Sequence, residues 1–443
     1  MWRLRQMPRR AFATLHREPL ILPTPKLIST PDLVDEEGLP CYKSEQYYPG
    51  KPGDVIGDRF QILVKRGYSN GSTTWMARDL RNTNSDGEIL RDLKINVCGD
   101  PSERELEIEK RIDEAGSAHR ARNLLRTNHE NFEVNSPHGK HICLAYPPLG
   151  APLWHFKARF ENEVFPFPLV KLYLMFLLEA LDCLHKDCAI VHTDLKLENI
   201  VMPFEDDEAM FEFINRQISE PAEYKLDATG QQVFRRDNTF GPLRDSWRLN
   251  MVPHIVDFSS ALQLHGETGR GIMPIQPSQY RAPEVTLGFP WNRSADIWNL
   301  GTLIWDMAQG THLFQQAQDS ERRPTARAHL AEMIALLGMP SLEFIEKSRS
   351  TLKFEWPQEI RVNGGELARN AHDMFGGPFF DGNGKFLHKD LIPDRRIEDS
   401  LPLLEEEDKR GLLAFAKKML TWDPEERATA RQLLEDPFLK LEE

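Results

Sequence analysis

The sequence predicts an α+β protein of two lobes, a small β-rich lobe with one prominent helix and a larger, mostly helical lobe. Three observations carry that prediction. From Arg59 onward "RFQILVKRGYSNGSTTWMARDL" alternates apolar and polar residues around a Gly/Ser/Asn turn, the pattern of two antiparallel strands. After "PPLGAPL" the period changes, and long helical patterns run to the C-terminus. A chain of 443 residues, 40% hydrophobic and 28% charged, has the apolar content for a large core and the length for two or three compact units.

The elements follow in order. Residues 1–41 form a basic and then proline-rich extension. Its first seventeen residues hold five arginines and no acid, which resembles a mitochondrial presequence as much as a disordered basic arm. Prolines 19, 23, 25, 31 and 40 then predict an extended segment with little regular structure. The small lobe and its exit segment span 42–150. After the strand pair, "EILRDLKINV" reads as a third strand. "GDPSERELEIEKRIDEAG" reads as a helix with Asp100 as N-cap, Pro101 at the first position, Glu103 in capping-box position and Gly116 as stop. "NFEV" and "HICLAY" complete the strands. The helical lobe spans 151–443, with helices expected from Pro168 to Lys186, over "SADIWNLGTLIWDMAQG" with Ser294 as N-cap and Gly310 as stop, over "RAHLAEMIALLG", and near the C-terminus. The polar segment from Pro203 to Asn250 is too long for a connection and reads as an insertion.

Charge and cysteine content narrow the function classes. Lys plus Arg total 55 against 68 for Asp plus Glu, a net charge of -13, the reverse of a nucleic-acid binder's balance. The five cysteines are scattered without a CxxC pair, which indicates neither a disulfide framework nor a zinc site and points to an intracellular, reducing compartment. The most apolar run, "PLVKLYLMFLLEALDCLH", is interrupted by Lys171, Glu179 and Asp182 and reads as a buried helix, so no membrane partner is expected.

One segment, "AIVHTDLKLENIVM" (Ala189–Met202), orders a histidine, an aspartate, a lysine and an asparagine between apolar flanks. Phosphoryl transfer to a hydroxyl needs a carboxylate at the hydroxyl proton, cations on the phosphates and oxygen ligands for magnesium. Asp194, Lys196 and Asn199 are candidates for these three tasks.

The segment resembles the catalytic loop of eukaryotic protein kinases, and further family elements follow in order. "HIVDFSS" is similar to the magnesium-binding DFG element, "QYRAPEV" contains the APE triplet, "SADIWNLG" resembles the DxWxxG helix, and Arg427 in "WDPEERATA" stands where the family pairs an arginine with the APE glutamate. The resemblance implies the bilobal protein-kinase fold and ATP and Mg2+ as cofactors, with Asn199 and Asp257 as metal ligands and Asp296 bracing the loop. It implies Lys94 on the third strand as the lysine holding the α- and β-phosphates, with Glu105 of the following helix as its carboxylate partner. Leu106, Ile108 and Ile112 would then face the core, and Glu107 and Glu109 a solvated face. It also implies Gly67 and Gly71 at the phosphates, Tyr146 as gatekeeper, and the Pro147 carbonyl and Leu149 N–H at adenine.

The HTD triplet, "YYPGKPGDVIGDRFQI", "GKHICLAYPPLG" and "FFDGNGKF" resemble the SR-protein kinases, especially short fungal-type relatives. That resemblance implies a serine/threonine kinase of Arg/Ser-rich protein substrates, active in regulating mRNA splicing, monomeric, and found in cytoplasm and nucleus, with the mitochondrion as the alternative if the basic N-terminus is a presequence. Two departures keep a pseudokinase or scaffold as the competing reading: Ser69 and Ser72 in the phosphate loop "GYSNGS", and Ser259 after Asp257 and Phe258. Thr193 replaces the arginine that binds an activating phosphate in many kinases, so activity is expected without phosphorylation of the segment from Asp257 to Glu284.

Overall fold

The computed structural model describes residues 17–81, 89–99, 103–115, 118–244, 251–264, 269–316, 325–362 and 366–440. The arginine-rich stretch 1–16, the expected helix boundaries at Asp100, Pro101 and Gly116, and Thr268 lie outside the described residues. The chain folds as two compact units that do not follow a single cut along the sequence. One draws on residues up to 99, on Asn128–Leu149 and on Phe204–Gly241; the other on Glu103–Thr127, on Gly150–Pro203 and on the chain from Pro242.

The first unit is built on six antiparallel strands: β1 (Val55–Ile56), β2 (Phe60–Ser69), β3 (Ser72–Asp79), β4 (Leu90–Asn96), β5 (Glu130–Ser136) and β6 (Gly139–Tyr146). Their order in the sheet is β1-β2-β3-β4-β6-β5. Asn70 and Gly71 make the two-residue connection, with Ser69 opposite Ser72, and the register slips between Lys65 and Gly67. Alternating side chains give the sheet two apolar faces. Ile62, Trp75, Leu93, Ile95 and Cys143 pack into one core with Phe234, while Leu63, Val64, Met76 and Leu90 pack into another with Phe213 and Ile214.

The phenylalanines on both faces come from the insertion, which is where the fold departs most from the sequence reading. Phe204–Gly241 supplies the helix Asp207–Ser219, capped by the Asp206 carboxylate at the Ala209 N–H, and the hairpin Tyr224–Leu226 with Gln232–Phe234. Both pack on the sheet. The extended N-terminal segment joins them: Leu20 and Gln61 exchange two hydrogen bonds, Ile28 and Lys26 pair with the Tyr224 backbone, and the Tyr42 hydroxyl donates to Asp227 at 2.8 Å. Lys65, 1% exposed in its side chain, meets the Glu36 carboxylate and donates to the Phe234 carbonyl at 2.8 Å. Burial pushes the Glu36 carboxyl up, and Lys65 opposes that shift. A buried ion pair of this kind holds extension, sheet and insertion in one register, because breaking it strands a charge.

The second unit is helical. In Phe167–Asp182 the buried positions Val170, Tyr173, Leu174, Leu177, Leu178 and Leu181 recur at helical spacing. Ser294–Ala308 is buried all round from Ala295 to Ala308, the signature of a core helix. Its Gly301 permits a close approach: a Cβ there would stand 3.0 Å from Met419 and Leu420 side chains. Ser294 opens that helix but does not cap it; Asn292 Oδ1 accepts the Ser294 N–H at 2.8 Å. Gly310, at φ +72°, follows its end. Glu103–Ala115 buries Glu105, Ile108, Glu109 and Ile112. The expected solvated position of Glu109 is therefore corrected: it is 1% exposed, whereas Leu106 is only half-buried. No helix among the described residues is long and apolar enough to cross a membrane.

Candidate active site

Two short ladders frame the loop 192–199. Ile190–Val191 pairs with Leu262–Gln263, and Ile200–Val201 pairs with His254–Ile255, so the two ends of the loop are tied to the segment that carries Asp257. The apolar flanks seen in the sequence are these buried strands. Between them, Asp296 at the start of the core helix is fully buried and accepts the backbone N–H groups of His192 (2.8 Å) and Thr193 (2.9 Å) together with His185 Nε2 (2.9 Å). Asn299, one turn on, donates to the Leu195 carbonyl at 2.7 Å. The helix thus fixes four points around the loop.

Within the loop, Lys196 Nζ donates to Asp194 Oδ2 at 2.7 Å, and Asn199 Nδ2 donates to the Asp194 carbonyl at 2.9 Å and to its Oδ2 at 3.0 Å. The structure therefore brings Asp194, Lys196 and Asn199 together. With both Asn199 donors spent on Asp194, its Oδ1 remains as an oxygen ligand, which fits a hard divalent cation. His192 is a buried anchor, its Nε2 on the Val256 carbonyl at 3.1 Å and its ring edge-on to Phe258. Asp257 stands at φ +63° and Thr193 at φ +70°. Non-glycine residues hold such angles where surrounding structure over-determines them, as the Asp296 bonds and the Val256 N–H to Asn199 carbonyl bond (3.0 Å) do here. Ser259 adds a tie unforeseen from sequence: its hydroxyl donates to Asp257 Oδ1 at 2.8 Å. Thr193 supplies another, from Oγ1 to the Ser260 carbonyl at 2.8 Å.

Glu284 and Arg427 form a pair of two 2.6 Å hydrogen bonds, both side chains fully buried. Between this pair and the loop, Gln276 bridges Ala282 N–H and the Ala295 carbonyl, and His329 Nε2 meets the Arg281 carbonyl at 3.0 Å. Burial drives the His329 imidazole down to about 4 and the Arg281 guanidinium down to about 10. Glu105 is buried in its helix, and the N-terminal Arg104 beside it donates to the Ala261 carbonyl at 3.0 Å.

The nucleotide-contacting residues named from sequence lie in the other unit. Lys94 sits mid-strand on β4, opposite Thr74 of β3 and Leu144 of β6. Gly67 follows the register slip in β2 with open space at its Cβ position, and Gly71 turns the chain, its N–H on Ser69 Oγ at 3.2 Å. Ser69 and Ser72 hydroxyls bond each other at 3.0 Å, so the two serines close the turn. Tyr146 ends β6 buried, followed by Pro147. The Leu149 N–H, assigned to adenine from sequence, donates instead to Asp92 Oδ2 at 3.3 Å, and the Leu149 carbonyl accepts from Arg66 at 2.9 Å.

The fold matches that of a crystallised kinase domain with a TM-score of 0.59 at 21% identity, over 90% of this chain and 100% of that one. The fold is therefore that of a protein kinase. The protein kinase domain family matches residues 245–439. A serine/threonine protein kinase of Aspergillus fumigatus is 33% identical over 406 residues, 92% of this chain and 91% of that protein. The serine/threonine-protein kinase SRPK of Physarum polycephalum is 30% identical over 424 residues, 92% of each chain. The chain belongs to the serine/threonine protein kinases, and within them it resembles the SR-protein kinases. It is an ATP-dependent enzyme that uses a divalent metal and acts on protein hydroxyls.

Proposed function

We propose that this kinase phosphorylates serines in arginine-rich protein segments with Mg2+ and ATP, and that it does so in cytoplasm and nucleus as a regulator of mRNA splicing. The observation that carries the chemistry is the hydrogen-bonded set Asp194, Lys196 and Asn199, held by Asp296. Asp194 Oδ2 receives or orients the substrate hydroxyl proton, and Lys196, already on that carboxylate, follows the charge onto the transferred phosphoryl group. Asn199 Oδ1 and Asp257 are the oxygen ligands for magnesium, whose bound charge offsets that of the phosphates. Lys94 contacts the α- and β-phosphates and Glu105 is its carboxylate partner; Gly67 and Gly71 turn backbone toward the phosphates, and Tyr146, Pro147 and Leu149 border adenine.

The substrate class is supported by similarity to kinases of the SR-protein type over 92% of the chain and by a net charge of -13, which favours cationic peptides. The compartment is supported by five free thiols. The test is phosphotransfer from ATP to Arg-Ser, acidic and Ser-Pro peptides, with magnesium, manganese or calcium supplied in turn. Arg-Ser peptides with magnesium should give the highest kcat/KM, and Asp194→Ala should abolish turnover while nucleotide binding persists. Preference for either other peptide overturns the substrate assignment; near-normal turnover of Asp194→Ala overturns the mechanism.

A further inference from the structure

The turn that closes the long helix Phe167–Asp182 is wider than an α-helical one: the Cys188 N–H reaches back five residues to the Cys183 carbonyl at 3.2 Å. The chain runs from it into the strand Ile190–Val191 that opens the catalytic loop, and His185 within it is the histidine on Asp296. Cys183 and Asp187, four residues apart, share a face of this turn, and His119 comes to them from the segment after the helix Glu103–Ala115. The Cys183 sulfur, an Asp187 carboxylate oxygen and a His119 ring nitrogen all lie within 4.8 Å of one another. Cys183 is buried while His119 and Asp187 are half-buried, so a solvent ion reaches the cluster from their side. The His119 Nδ1 lone pair accepts the Ala121 N–H at 3.1 Å, which leaves the proton of the neutral ring on Nε2, 3.5 Å from Asp182 Oδ2. A carboxylate behind the imidazole in this way is what orients a ligating histidine.

We propose that His119, Cys183 and Asp187 hold a zinc ion, with water in the fourth position, and that the metal fastens the segment behind the Glu103–Ala115 helix to the turn that leads into the catalytic loop. The donor set selects the ion. A thiolate, an imidazole and a carboxylate suit Zn2+, whereas Mg2+ takes oxygen ligands and keeps several of its waters. Ligation sends the Cys183 thiol proton to solvent and exchanges the Ala121 bond of His119 for the metal. The two anionic ligands then match the two charges of the ion, so the centre is neutral where the sulfur is buried. Cys188, buried and sharing a hydrogen bond with the Cys183 thiol, becomes the donor to the ligating sulfur. The nearby cations are engaged elsewhere: Arg122 pairs with Asp113, Arg120 with Glu179, Arg111 donates to the Cys188 carbonyl at 3.4 Å, and Arg431 lies 3.9 Å from Asp182. The site is independent of the substrate assignment.

The experiment takes the full chain, stripped of metal by a chelator under a phosphine reductant, and titrates it with Co2+ and then with Zn2+. The unaltered kinase should bind a single Co2+ with thiolate-to-cobalt charge transfer in the near ultraviolet and the visible bands of a tetrahedral ion, and Zn2+ should erase both. Excess Mg2+ should leave the spectrum unchanged. Zinc at about a hundred times its Kd should raise Tm by about 5 °C. His119→Ala and Asp187→Asn should each weaken Co2+ and Zn2+ binding at least about tenfold, and Cys183→Ser should remove the charge-transfer band. Because Cys183 is buried, the two half-buried variants decide the matter if Cys183→Ser misfolds. Equal metal binding by the unaltered kinase, His119→Ala and Asp187→Asn, or a cobalt spectrum without the thiolate band, overturns the site. Either result leaves the phosphotransfer reading standing, since that is measured with magnesium and peptide.

Discussion

Cutting the Glu284–Arg427 pair one side at a time should cost different amounts, and the structure says which side costs more. Both side chains are fully buried and joined by two 2.6 Å bonds, with the guanidinium stacked over Trp298 at 4.9 Å. Glu284→Gln strands a buried cation and should destabilise the unit by about 3–5 kcal/mol. Arg427→Met strands the carboxylate and also leaves three carbonyls without this donor, those of Thr421 (2.9 Å), Ser294 (3.2 Å) and Trp422 (3.3 Å). Each carbonyl left dry adds about 1 kcal/mol or more, so the arginine variant should be the less stable of the two. The double variant Glu284→Gln/Arg427→Met removes both charges and should recover about 3 kcal/mol relative to the sum of the single variants. Urea unfolding followed by tryptophan fluorescence reads these values, since Trp298 and Trp422 report on the site itself. A coupling below about 1 kcal/mol, the scale of a solvated surface pair, would refute the argument that this pair is a desolvated tie.

Other predictions follow from the same geometry. His329 is neutral in the fold at about 4 and titrates near 6.5 when unfolded, so its contribution is complete above pH 6.5 and is lost as pH falls toward 4, an effect of about 3 kcal/mol. His329→Gln should shift the acid-unfolding midpoint downward, and an unchanged midpoint counts against it. Arg66, beside Gly67, has its guanidinium 4.9 Å from the rings of Phe213 and Phe240 and 5.8 Å from Phe204, all three from the insertion. Phe213→Leu should cost about 2 kcal/mol and raise KM for ATP, because Arg66 also donates to the Leu149 carbonyl; an unchanged KM for ATP disconnects the insertion from nucleotide binding. Thr193 ties the Ser260 carbonyl without any charge. Phosphatase treatment should therefore leave kcat/KM within about twofold, and Thr193→Val should lower it; the reverse pattern makes an activating phosphate necessary.

What was legible in the sequence and what was not divide along one physical line. The catalytic loop is eight consecutive residues, so the spacing of Asp194, Lys196 and Asn199 is written locally, and their contacts follow once the flanking strands pair. The Asp296 brace and the Glu284–Arg427 pair span 104 and 143 residues, yet each end lies in a recognisable local pattern. The unread features join a patterned partner to an unpatterned one. Nothing local in Leu20, Phe213 or Phe234 says that they cover the faces of one sheet: the insertion helix has a periodic apolar face with Ala209, Phe213 and Ile214, but such a face does not name what it packs against. Glu109 looked solvated since a charge on a helix is ordinarily exposed, and burial overrides that rule only through tertiary contacts. Leu149 kept its N–H on paper, but whether it stood open depended on Asp92, 57 residues away. Asp306 did leave a signal, an acid among "GTLIWDMA" on a helix buried all round. A carboxylate in that setting must be partnered, and here His312 meets it from outside the helix, six residues on, so the residue that broke the apolar pattern is one whose partner a helical period does not supply.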